Sequence, residues 1–149
     1  MNTQSLVQRA VELRDEALRE RRGYNAIWCV FDRDSFPADV FNQALALAQK
    51  NEFEVAYSNE AFELWYLLHF HYYQQASSRN QYEHLLSTLL THPYQKNSET
   101  MYDELLPRQK TAIRNAEKLL ALGSGNPERD NPSTTVHKLV EVLNRYVRN

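Results

Sequence analysis

The sequence predicts an α/β fold, with a small parallel sheet in its first half and a helical second half. A short apolar run, residues 26–31, is followed by a segment with helical periodicity and then by a second predicted strand, residues 53–57. Apolar runs of this length are typical of strands that are buried on both faces. Strands that alternate with helices indicate a βαβ unit with parallel strands. The 149 residues include only three glycines, too few for an all-β sandwich with many tight turns.

The chain opens with a predicted amphipathic helix. Apolar residues recur at helical spacing over residues 4–21, where Thr3 or Ser5 can serve as the N-cap. The first strand follows, and Pro37 can then open a helix that extends to about Lys50.

The second strand, residues 53–57, leads directly into a predicted central helix. Ser58 and Asn59 are candidate caps for a helix over residues 60–73. This segment is apolar on almost every side, which is typical of a helix at the centre of a fold.

The remainder of the chain has helical periodicity and one polar loop, residues 123–132. Helices are predicted over residues 79–91, over residues 107–122, and from Asn131-Pro132-Ser133 towards the C-terminus. We therefore expect a single domain over residues 1–149, with an α/β part at 1–75 and a helical part at 76–149.

Two strands are too few for a parallel sheet that stands alone. We therefore expect that further strands lie in loops, or that part of the sheet lies outside this chain. The opening helix favours an absent N-terminal strand, because a helix that feeds a buried strand in an α/β fold usually follows an earlier strand.

Composition excludes several classes of protein. The chain has no Gly-rich phosphate-binding loop and no apolar run of the roughly 20 residues that a spanning helix needs. A single cysteine, Cys29, excludes an intrachain disulfide framework and is typical of a reducing compartment. With no apolar leader in view, we expect a cytoplasmic protein.

Two acidic side chains follow the first predicted strand. Asp32 and Asp34 lie at the carboxyl end of that strand, which is the working end of an open parallel sheet. Their hard oxygen atoms suit Mg²⁺, with water and a substrate phosphate completing the coordination shell. The alternative is a solvated loop in which Asp34 caps the next helix.

A third carboxylate follows the second strand, at the same edge of the sheet. Glu63 lies early in the apolar helix, where a buried carboxylate needs a partner. It can be a third metal ligand, a general base, or a structural acceptor for an N–H group or an arginine. The five histidines include no H-E-x-x-H motif and predict no zinc site, and His69 is interpreted as a core residue.

The second half of the chain is basic. Residues 1–104 have a net charge of −6, whereas residues 105–149 have a net charge of +4. One stripe follows the helix over 107–122, formed by Lys110, Arg114 and Lys118 with Arg108 nearby. Such a stripe can follow a nucleic-acid backbone, or it can be an ordinary solvated face.

Four motifs resemble the RloB-like family in order and spacing over nearly the whole chain. They are Val30-Phe31-Asp32-Arg33-Asp34, Ala56-Tyr57-Ser58-Asn59, Ala61-Phe62-Glu63-Leu64-Trp65-Tyr66-Leu67-Leu68-His69-Phe70 and Asn131-Pro132-Ser133-Thr134-Thr135-Val136-His137-Lys138-Leu139-Val140. The combined pattern is much more specific than D-x-D alone.

The resemblance implies a variant of the Toprim fold, a Rossmann-like α/β domain, and a Mg²⁺- or Mn²⁺-dependent nuclease. Asp32 and Asp34 match the metal-binding D-x-D, and Glu63 matches the glutamate of F-E-L-W. RloB-like proteins are associated with bacterial restriction and abortive-infection loci beside an ATPase partner, which implies phage defence. The first Toprim glutamate, in a C-E-G-like motif, has no counterpart here.

This departure leaves a rival interpretation, a non-catalytic module that binds nucleic acid or a protein partner. Both interpretations allow either DNA or RNA as the ligand. Both also allow the chain to form homo-oligomers.

Overall fold

The protein is a mixed α/β structure with a three-stranded sheet, described by a computed structural model for residues 2–34 and 36–147. Its elements, in chain order, are α1 (Thr3–Arg19), β1 (Trp28–Asp32), α2 (Ala38–Lys50), β2 (Glu54–Asn59), α3 (Glu63–Leu67), α4 (Arg79–Leu90), α5 (Met101–Leu105), a 3₁₀ turn (Leu106–Arg108), α6 (Gln109–Ala121), β3 (Ser133–Thr134) and α7 (Val136–Val147).

The predicted parallel pair is confirmed. β1 and β2 run parallel, with Trp28 opposite Glu54 at one end and Asp32 opposite Ser58 at the other. The third strand, β3, comes from within the chain and pairs with β2 in the antiparallel direction, with Thr134 opposite Ser58. β2 therefore lies at the centre of the sheet.

The sequence predicted that β1 is buried on both faces, and this prediction is wrong. Cys29 and Phe31 are buried, whereas Val30 between them is 38% exposed. The reason is that β1 lies at one edge of the three-stranded sheet. Phe31 packs edge-to-face on Phe41 of α2, with 5.8 Å between the ring centroids, so the buried face of β1 is the one that α1 and α2 cover.

The predicted central helix over residues 60–73 is wrong in length, because only α3 is helical within it. Ser58 and Asn59 belong to β2 rather than to a helix cap, since β2 pairs on both sides. Residues 68–70, after α3, form turns. There the side-chain amide of Asn115 donates to the carbonyl of Leu68 at 2.8 Å. Burial on all sides is supplied by α4 and α6, so an apolar pattern all round does not require a long helix.

Two helix starts also differ from the prediction. Asn2, not Thr3 or Ser5, caps α1, because its Oδ1 accepts the backbone N–H of Ser5 at 2.7 Å. α7 begins at Val136, since Ser133 and Thr134 pair with β2 before the helix can start. The helices predicted over 79–91 and 107–122 are present as α4 and as the 3₁₀ turn with α6.

Candidate functional site

The carboxyl ends of β1 and β2 meet at one edge of the sheet. Asp32 is the last residue of β1, and the turn after it is held against the chain that follows β2. The backbone N–H of Arg33 donates to the carbonyl of Ser58 at 2.8 Å, and that of Asp34 to the carbonyl of Glu60 at 2.9 Å. Asp34 has a left-handed φ of 49°, which Asp tolerates better than most residues.

Arg79 lies among Asp32, Asp34 and Glu63, the three carboxylates that the sequence predicted as site residues. Its Nη2 forms ion pairs with Asp32 and with Asp34 Oδ1, the latter at 2.9 Å, and its Nε lies 3.8 Å from Glu63 Oε2. Arg79 is the first residue of α4, which Ser78 caps. The three acids thus meet at one edge of the sheet through Arg79. An arginine partner was one of the alternatives for Glu63, but the sequence did not identify Arg79 as that partner.

One sequence signal points to the start of α4. Ser78 and Gln81 form a reciprocal capping box: the Ser78 hydroxyl accepts the Gln81 backbone N–H, and the Gln81 side chain accepts the Ser78 backbone N–H. A Ser-x-x-Gln pattern before an apolar run marks a helix start, and so locates Arg79 at a first turn. Nothing in that pattern identifies the partners of the arginine.

The cluster is acidic even with Arg79 included. Glu63 is 2% exposed, while Asp32, Asp34 and Arg79 are half-buried. Burial raises the pKa of Asp32 to about 6, although the Phe62 backbone N–H and the Arg79 guanidinium favour its charged form. Burial lowers the pKa of Arg79, but its three carboxylate neighbours outweigh this and raise it, so the guanidinium remains charged.

Glu60 is a fourth acid at this edge of the sheet and directly follows β2. It is half-buried, and its Oε1 has no hydrogen-bond partner among the described residues. Burial raises the pKa of Glu60, and the nearby Asp34 carboxylate adds to the rise. The carboxylates at this edge of the sheet therefore repel one another and favour an additional cation.

The donor set suits a hard divalent cation. Oxygen atoms of Asp32 and Asp34 already contact one cationic nitrogen, Arg79 Nη2, and the buried Glu63 Oε2 has no hydrogen bond within the described chain. Oxygen atoms of this type are the ligands that Mg²⁺ and Mn²⁺ prefer. The oxygens of Asp32, Asp34 and Glu63 are not, however, among the described sets in which all ligand atoms lie within 4.8 Å of one another. Arg79 occupies the space between them.

An open cleft of about 300 Å³ lies over the cluster. Asp32, Asp34, Phe62, Arg79 and Lys96 are among the residues that line it. The cleft thus combines acids that can bind a metal with two basic side chains that can meet an anion. An anionic ester with a bound divalent ion fits this combination of charges.

The alternative interpretation of Asp34 as a helix cap is wrong. The N-cap of α2 is Pro37, which makes no side-chain capping hydrogen bond, and Asp34 lies three residues before it. The interpretation of His69 as a core residue is confirmed, because the ring is buried and its Nδ1 lies 2.9 Å from the Trp65 carbonyl oxygen.

The basic stripe lies on an exposed surface and does not line the cleft. All four predicted side chains, Arg108, Lys110, Arg114 and Lys118, are exposed. The Arg108 guanidinium lies 5.0 Å from the ring centroid of Phe70, and Lys118 Nζ lies 4.3 Å from that of Tyr72. Cations beside aromatic rings offer both charge and a stacking surface to a nucleic acid.

The family model for RloB-like proteins matches residues 1–143. The chain therefore belongs to the RloB-like family. No curated protein and no solved structure matches the chain significantly. Among the described residues, every helix is too short or too polar to span a membrane.

Proposed function

We propose that this RloB-like protein is a Mg²⁺- or Mn²⁺-dependent nuclease with a Toprim-like site. It serves as a component of a bacterial phage-defence system of the abortive-infection or restriction-associated kind and acts with an ATPase partner. The observation that carries the catalytic part is the meeting of Asp32, Asp34 and Glu63 around Arg79 at the carboxyl edge of the sheet. The defence role and the ATPase partner rest on the family resemblance.

Asp32 and Asp34 are the residues that would hold the metal, and Glu63 would be a further ligand or would orient one. A bound divalent ion stabilises the charge that develops on a phosphodiester and lowers the pKa of a coordinated water molecule. Asp32 supports this role, because a carboxyl with a pKa of about 6 is ionised at neutral pH and is ready to accept a cation.

Arg79 has two roles in this proposal. Its guanidinium balances the charge of the carboxylates, and its planar fork of N–H donors matches the geometry of a phosphate. Arg79 and Lys96 both line the cleft, so the chain provides two cationic groups for the ester. Removal of Arg79 should therefore affect the binding of a phosphodiester as well as the stability of the cluster.

The nucleic acid would extend from the cleft towards the basic face. Arg108, Lys110, Arg114 and Lys118 supply charges that follow a phosphate backbone, and Phe70 and Tyr72 supply rings beside two of them. The proposal includes DNA and RNA as substrates, and the test compares the two.

The test is an incubation of the chain with supercoiled plasmid, single-stranded DNA and structured RNA, each with Mg²⁺ or Mn²⁺. Asp34→Asn removes one metal-binding charge and keeps a residue that tolerates the left-handed φ of 49° at this position. We expect cleavage by the unmodified chain and a loss of at least about tenfold in Asp34→Asn. The matched control, Asp103→Asn at an exposed position of α5, should cleave as the unmodified chain does. Cleavage that survives undiminished in Asp34→Asn would refute the proposal.

A second candidate function is a binding module without chemistry. It is favoured by the position of Arg79, which already separates the three carboxylates. A chain that binds oligonucleotides through its basic face and cleaves none of the substrates with either metal would support this second function.

A further inference from the structure

A second group of metal-ligating side chains lies between α6 and α7. Glu117 of α6 meets His137 and Glu141 of α7, with one ligand atom from each side chain within 4.8 Å of the other two. His137 and Glu141 are four residues apart on one helix and therefore lie on the same face. None of these residues belongs to the cluster around Arg79 or to its cleft.

His137 is the buried member of this group. The residue is 3% exposed, and its Nδ1 has no hydrogen-bond partner among the described residues. Buried polar atoms are almost always paired, so such an atom calls for a ligand or for water. A neutral imidazole nitrogen is a common metal ligand, so His137 can donate a lone pair to a metal ion.

We propose that Glu117, His137 and Glu141 bind a divalent transition-metal ion, with Zn²⁺ as the best fit. One imidazole and two carboxylates suit Zn²⁺, whereas Mg²⁺ prefers oxygen ligands alone. A tetrahedral ion with bonds of about 2.0–2.1 Å needs ligand atoms about 3.3 Å apart. The two glutamates are exposed and His137 is buried, so the glutamates can close this distance by side-chain rotation. Water would take the remaining coordination position.

The proposed ion would connect two segments that hold the sheet together. It would link α6 to the start of α7, which directly follows β3. The hydroxyl groups of Thr134 and Ser58 lie 2.9 Å apart, and Thr135 Oγ1 accepts the backbone N–H of Tyr57 at 3.0 Å. Zn²⁺ bound between α6 and α7 should therefore stabilise the pairing of β3 with β2 and raise the melting temperature of the chain.

The experiment is calorimetric titration of the metal-free chain with ZnCl₂, together with thermal unfolding with and without Zn²⁺. All proteins carry Asp34→Asn, so that the cluster around Arg79 contributes less to binding. We expect about one equivalent of Zn²⁺, a higher melting temperature, and no comparable response to MgCl₂. Glu117→Gln/Glu141→Gln should weaken the affinity at least about a hundredfold and abolish the thermal shift, because changes outside the ligand set already cost up to that much.

The control is Glu104→Gln. Glu104 lies 2.7 Å from His92 in an exposed pair that is not part of a three-ligand set among the described residues. This variant should bind Zn²⁺ as the Asp34→Asn parent does. Equal affinity in the Glu117→Gln/Glu141→Gln protein and in the Asp34→Asn parent, or an Asp34→Asn parent that does not bind Zn²⁺, would overturn the proposal.

A spectroscopic readout addresses the imidazole. With Co²⁺ in place of Zn²⁺, the visible absorption should change in His137→Gln, provided that circular dichroism shows a folded variant. Because the two glutamates are exposed, their substitution tests the site even where the buried histidine cannot be replaced. An unchanged Co²⁺ spectrum in a folded His137→Gln protein would exclude the histidine as a ligand.

Discussion

Arg79→Met removes the guanidinium that three carboxylates contact and keeps most of the apolar stem. A hydrogen bond to a charged group contributes about 1.5–3 kcal/mol, and breaking a buried ion pair from one side costs about 3–5 kcal/mol. The Arg79 side chain is 30% exposed, so water screens part of this effect. Glu63, by contrast, is 2% exposed and would be left without a nearby cation. We expect the free energy of unfolding to fall by about 2–4 kcal/mol at pH 7.5.

Urea unfolding measured at pH 7.5 and at pH 5.0 tests this value and its cause. At pH 5.0 the stability that Arg79→Met loses should be smaller, because Asp32 has a pKa of about 6 and loses its charge by protonation. Addition of Mn²⁺ at pH 7.5 should also reduce the deficit, since a second cation would replace the lost one. The control is Arg9→Met, which removes an exposed pair with Glu12 and should change stability by no more than about 0.5 kcal/mol.

Two results would contradict this reasoning. Unchanged stability of Arg79→Met at pH 7.5 would mean that the carboxylates do not depend on the guanidinium. A deficit of the same size at both pH values would mean that Arg79 contributes packing rather than charge.

Two further predictions concern the charge of the cluster and of the basic face. The pKa of Asp32 is raised from 3.8 to about 6, so the native state binds this proton more tightly and the stability from this group falls as pH rises from about 4 to above 6. In urea titrations, Asp32→Asn should remove this dependence of the free energy of unfolding on pH. In calorimetry, the same variant should no longer bind Mn²⁺. An unchanged pH dependence in Asp32→Asn would mean that other groups cause it. Lys110→Glu/Arg114→Glu should lower the slope of log K against log salt for duplex DNA by about 1.8, because each lost phosphate contact contributes about 0.9. An unchanged slope, with stability within about 0.5 kcal/mol, would leave that stripe as a solvated face.

The parallel pair of strands and the edge at which they end could be predicted because both follow from local patterns. The run Trp28-Cys29-Val30-Phe31 is short, apolar and β-prone, and a helical period separates it from Glu54-Val55-Ala56-Tyr57. Once the strands are parallel, their carboxyl ends lie together, and this placed Asp32 near the start of α3.

The limits of α3 and the position of β3 were beyond pattern analysis, although a further strand within a loop was one of the two alternatives for completing the sheet. Residues 60–73 are apolar on almost every side, which is equally compatible with one long helix and with a short helix followed by packed turns. Ser133 and Thr134 have no hydrophobic alternation, and they form a strand because their neighbours on β2 offer unpaired backbone groups and the Ser58 hydroxyl.

By itself, the sequence determined the mixed α/β class, the parallel pair of strands, and the three acids at the carboxyl ends of those strands. Only the tertiary structure decided what those acids contact. Arg79 is 47 residues from Asp32, and Glu117 meets His137 from a different helix, so no spacing rule connects either pair. The spacing of apolar residues along the sequence indicates which side of a helix or strand is buried. The contact between two charged side chains depends instead on how whole helices and strands pack against each other.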